Sequence, residues 1–160
     1  MKVLKTMCVM VLLILMVSCS SEDDSSNNQN PITEPFFVKI NGEDFVPLQI
    51  EAVLTAGTIN IEGVNTEGVD VIIGFSSDFE SGDVLNAGLF GTNGTDIFVP
   101  IYDTDNGGFF ATSGILTITA HNRDTNEISG RFNFSGPDPD DSTSTLNFTE
   151  GEFMVTYTEQ

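Results

Sequence analysis

The chain is short of positive charge: five Lys and Arg stand against 24 Asp and Glu, a formal net charge of −19. Phosphate backbones draw most of their affinity from a basic footprint, so nucleic acid is excluded as a partner. Tryptophan is absent and only two tyrosines occur, which leaves little of the aromatic platform on which sugars stack. The one histidine, His121, falls at the end of an alternating segment beside a turn. A surface polar role is ordinary there, and a Ser–His–acid triad has nowhere else to form. No HExxH, Gly-rich phosphate loop or nucleophile elbow occurs. No window of a dozen residues carries helical periodicity.

What is present begins at the N-terminus. Lys2 and Lys5 form a positive n-region, Met7 to Val17 is an unbroken apolar run, and Ser18 precedes Cys19. That order reads as a bacterial lipoprotein signal with Cys19 as the lipid-bearing residue. The apolar run is too short for a stable span of ~20 residues. Met16 stands where leucine is usual. Each buried acyl methylene contributes ~0.8 kcal/mol, so more than one chain on Cys19 would hold the protein firmly to membrane lipid. Cys8 leaves with the signal and Cys19 becomes a thioether, so the mature chain has no thiol to oxidise.

Composition then divides the chain into a signal at 1–18, a lipidated cysteine and acidic tether at 19–35, and one domain at 36–160. The segment from Ser20 to Pro35 has no aromatic residue and almost no aliphatic one. It cannot bury enough surface to offset chain entropy, and as a flexible coil it reaches roughly 20–24 Å. Without Lys2 and Lys5, the cations are Lys39, Arg123 and Arg131.

From Phe36 the period is two. Ile59 and Ile61 alternate with polar residues, and Val69, Val71, Ile73 and Phe75 share a face. Leu116, Ile118 and Ala120 repeat the pattern, as do Ile128, Phe132 and Phe134, and then Phe153, Val155 and Tyr157. Alternation rich in β-branched and aromatic residues predicts half-buried antiparallel strands. Asn41-Gly42 predicts a type I′ hairpin, while Thr55-Ala-Gly57, Asn65-Thr-Glu-Gly68, Arg123 to Asn126 and Glu150-Gly151 predict further reversals. Seven to nine short strands predict an all-β fold, a single antiparallel β-sandwich, with a closed or half-open β-barrel as the alternative. The 13 Phe are read as core.

Chemistry has few candidates. Asp103 and Asp105, followed by Gly107, resemble the first half of a calcium loop, because hard cations need several oxygens around a tight turn. Gly114 stands where that loop needs a bidentate Glu, and an Asp-Gly turn explains the residues equally well. Pro137 to Asp141 reads as an exposed acidic connector that could lend further oxygens. No other cofactor is expected.

Ser113-Gly-Ile-Leu-Thr-Ile-Thr119, Ile128-Ser-Gly-Arg-Phe-Asn-Phe134 and Leu146-Asn-Phe-Thr-Glu-Gly-Glu-Phe153, with Phe37 to Phe45 upstream, resemble a family of small Bacteroidota lipoproteins catalogued as domain of unknown function 6252. The resemblance spans Phe36 to Thr158. It implies an envelope β-domain with no assigned activity, and no catalytic residue carries over. Asp141-Ser142-Thr143 resembles the O-glycosylation acceptor of such envelopes, with Ser142 as the acceptor. Ser20 to Asp24 resembles the acidic signal that exports lipoproteins to the outer face of the outer membrane; a periplasm-facing location is the alternative. The expectation is a non-enzymatic surface module that binds a partner protein or serves a structural role. A barrel holding a small apolar ligand, or a hydrolase using carboxylates of the 76–108 region, are the alternatives.

Overall fold

Alternating apolar and polar residues make strands of most of the chain. The computed structural model describes residues 31–89, 96–141 and 143–160. The signal, Cys19, the tether as far as Asn30, and Ser142 lie outside the described residues. Within them there are twelve strands and no helix. They are β1 (Phe36–Ile40), β2 (Glu43–Phe45), β3 (Gln49–Thr55), β4 (Thr58–Val64), β5 (Asp70–Ser76) and β6 (Val84–Ala87). The rest are β7 (Ile97–Thr104), β8 (Gly107–Phe110), β9 (Ser113–Asn122), β10 (Glu127–Pro137), β11 (Thr145–Thr156) and β12 (Thr158–Glu159).

These strands form one curled sheet, a half-barrel, in the order β12-β3-β4-β5-β7-β6-β9-β10-β11-β1-β2, with β8 paired onto β7. The sheet is mixed, which corrects the expectation of an antiparallel one: β6 runs parallel to β7, and β12 parallel to β3. Alternation decides which face a side chain takes and is silent on strand direction. Tyr157 alone separates β11, which pairs β1 and β10, from β12, which pairs β3.

The predicted hairpin turn forms at Asn41-Gly42, where φ is 51° and 87°, and a second one holds Ala56 and Gly57 at 50° and 81°. Both turns therefore have the two positive φ values that let a two-residue loop follow strand twist. Glu150-Gly151, expected as a reversal, is instead a β-bulge inside the long strand β11. Between the pairs Phe132↔Gly151 and Phe134↔Phe148, β11 carries Thr149 and Glu150 against Asn133 alone. Glu150 absorbs the extra residue at φ 54°. A second bulge corrects Ala120. Thr119 is extra between Ala120↔Ser129 and Ile118↔Gly130, so the alternation slips by one and leaves Ala120 exposed.

The inner face is lined with phenyl rings. Phe134 stacks on Phe148 with centroids 4.0 Å apart, and Phe132 links Phe134 to Phe36 and Phe153. Phe153 in turn stacks on Phe75 at 6.0 Å. Phe75, Phe98, Phe148 and Phe153 are fully buried. Glycines make room for this layer. A Cβ on Gly130 would lie 2.6 Å from the Phe153 ring, and one on Gly151 would lie 2.5 Å from Phe132. Each ring thus lies against the bare backbone of a neighbouring strand, so Gly130 answers a close approach, chiefly that of a side chain.

Candidate functional site

Two tight turns wall a cleft of about 670 Å3 at one end of the half-barrel. On one side the Asn41-Gly42 turn delivers Glu43, Asp44 and Phe45. Opposite it, the β4–β5 turn is fixed by Asn65, whose Oδ1 accepts from the Glu67 and Val69 N–H groups at 2.8 and 3.0 Å. That Asx geometry sets Glu67 on the rim. Ile40, Phe45, Val46 and Val69 supply apolar lining, and Val46 is 72% exposed. Tyr102 comes from β7 and packs edge-on to Phe148 at 5.3 Å and against Phe109 at 5.6 Å.

The field here is negative. Burial raises the Tyr102 phenol above its ordinary value, and the charges of Asp138, Asp140 and Glu67 push it the same way. No cation lines the cleft among the described residues. Lys39 stands opposite Asp44 in register, but its ammonium is held by Glu150 at 2.7 Å. That hydrogen bond is the main reason its pKa is raised, with Asp44 adding least. The other described cations are also paired, Arg123 with Glu80 at 2.9 Å and Arg131 with Glu152 at 3.6 Å.

The sequence candidates Asp103 and Asp105 do not line this cleft. Asp103 ends β7 and Asp105 lies in the β7–β8 turn. Asp103 faces Asp70 across the β5–β7 pair. Burial raises the Asp70 carboxyl, and Asp103 and Asp105 raise it further. The turn meets the acidic connector through Asn106, whose Nδ2 donates to Asp140 at 3.2 Å. Within the connector, Asp138 accepts from the Asp140 N–H and the Ser144 hydroxyl, both at 2.9 Å. Asp141 accepts from the Thr143 hydroxyl and N–H, which hold its pKa below the usual range. Among the described residues, no three or more His, Cys, Asp or Glu side chains are grouped to hold a metal ion.

His121 lies away from these acidic turns and is half-buried. Its Nδ1 is 2.7 Å from the Phe79 carbonyl oxygen, which can only accept, so Nδ1 carries the proton. Its Nε2 lies within hydrogen-bond distance of the Tyr157 hydroxyl, at 3.1 Å. Both nitrogens are spent on ties that pin the 77–83 connection to the C-terminal strands. The bulge at Thr119 turns the ring to meet them.

The cleft itself escaped sequence reasoning. Its walls come from residues 40–46, 65–69 and 102, which only the sheet order brings together. The available signal was two Asn/Gly turns, each bearing carboxylates.

Fold and site together define a ring-packed all-β module with an acidic cleft at one end. Residues 33–156 match the model of a domain of unknown function, DUF6252, and the chain belongs to that family. No curated protein and no solved structure matches the chain.

Proposed function

We propose that the protein is a lipid-anchored, non-enzymatic binding module of the bacterial envelope. Cys19 fastens it to the outer membrane, and the domain faces the cell surface. The observation that carries this reading is the continuous run of packed rings along the inner face, from Phe75 through Phe153, Phe132 and Phe134 to Phe148, which takes up inner-face positions that an apolar ligand would otherwise contact. Recognition is then left to the turns. The lone histidine is occupied as a structural tie, which speaks against a histidine-dependent hydrolase. The half-barrel closes as a barrel in this reading, because the segment that ends β11 goes on to pair β3 as β12. Ser142, which follows Asp141 in the sequence, is the glycan acceptor in the same picture.

Native mass spectrometry of the full chain, extracted from membranes, tests the proposal together with fatty-acid labelling. The expected species carries acyl mass on Cys19 and no second ligand, and Cys19→Ala abolishes both labelling and membrane retention. A stoichiometric apolar molecule released by organic extraction would instead establish the ligand-carrying barrel.

A further inference from the structure

We infer that the cleft between the Asn41-Gly42 and Asn65–Gly68 turns receives a lysine or arginine side chain of a basic partner segment. The inference deepens the binding-module reading and rests on it.

The first argument is shape and polarity. Ile40, Phe45, Val46 and Val69 offer an apolar lining to an aliphatic stem, while Glu43 and Glu67 stand on opposite walls for a cationic head. Long basic side chains have that split character, with methylenes that bury and a head that stays hydrated or paired. A bare metal ion would gain nothing from the apolar lining. An apolar ligand would gain nothing from the carboxylates and would pay for their desolvation.

The second argument is charge complementarity. Lys39, Arg123 and Arg131 are already held by Glu150, Glu80 and Glu152. Among the described residues no cation lines the cleft; Lys39 stands opposite Asp44 but is held by Glu150, and Glu43 and Glu67 have no ion pair. Asp138 and Asp140 add to the same negative field around Tyr102. A basic segment would therefore be steered toward this end and then held by contacts that combine stem and head.

The test titrates the full chain with tetralysine at physiological ionic strength, with calcium at matched ionic strength as a stemless cation. Variants are Glu43→Gln with Glu67→Gln, Val46→Ser, and the control pair Asp124→Asn with Glu159→Gln. Tetralysine is expected to bind saturably and to weaken about tenfold in the Glu43/Glu67 variant. Val46→Ser is expected to weaken tetralysine severalfold without changing the response to calcium. The control pair should leave binding within about twofold of wild type. Equal losses in both acidic pairs, equal sensitivity of calcium and tetralysine to Val46→Ser, or no saturable binding would each overturn the inference. The module reading fails by a different result, a co-purified apolar ligand.

Discussion

Glycine and phenylalanine act as a pair in this interior. At Gly130 an added methyl would meet the Phe153 ring at 2.6 Å and the Thr117 carbonyl at 3.0 Å. Gly130→Ala should cost about 1–3 kcal/mol through overpacking. Adding Phe153→Leu should cost less than the two single changes summed, a coupling that urea unfolding of the four proteins would read out. Phe132→Ala and Phe134→Ala should each cost about 3–5 kcal/mol, while the exposed Asn133→Ala between them stays nearly silent. Equal effects at all three would contradict the assigned faces. His121 makes a spectroscopic prediction: 15N shifts should show a proton on Nδ1, and a ring bare at Nδ1 would contradict the Phe79 tie.

At the scale of the element, the bulge in β11 concentrates strain on a residue that carries a Cβ. Glu150 sits at φ 54°, and its carboxylate pairs with Lys39 on the surface, where such a pair contributes little. Glu150→Gly should therefore be more stable than Glu150→Val by about 1–2 kcal/mol, because a β-branched residue resists this backbone. Equal stability of the two in thermal melts would mean that the bulge relaxes. The same element shows what the sequence discloses. Ile59, Ile61, Val71, Ile73 and Phe75 announce their face, because one period-two run suffices to bury them. The bulges at Thr119 and Glu150 depend on the register of the partner strand, which no single segment encodes, and so Ala120 and Glu150-Gly151 depart from the period-two expectation. Strand direction at β6 and β12 is hidden for the same reason. The cleft required that full sheet order, whereas Asp103 and Asp105 were visible only as residues in a turn.

Among the described residues, the buried side chains are apolar, and on the outside like charges face one another. Glu51 is directly opposite Glu62, and Asp70 opposite Asp103. Burial is the main cause of the raised Glu62 pKa, with Asp70 and Glu51 adding to it, and Asp70 is raised in the same manner. Between the unfolded and the raised folded values, the native state binds more protons than the unfolded chain. The contribution of these groups to stability therefore falls as pH rises through that window, and it is recovered as pH drops from neutrality. Asp103→Asn should raise the melting temperature at neutral pH and low salt by the equivalent of about 0.5 kcal/mol, since a like-charge cross-strand pair is relieved. High salt should shrink that gain, and a lower melting temperature would contradict the repulsion.

The proposed binding module depends on the phenyl rings of the inner face packing on one another rather than on a ligand. NMR of the protein purified without extraction tests it most directly, through contacts among assigned ring protons. The account predicts nuclear Overhauser contacts running unbroken from Phe75 through Phe153, Phe132 and Phe134 to Phe148. Contacts from those rings to a bound apolar molecule, with the ring-to-ring contacts missing, would contradict it.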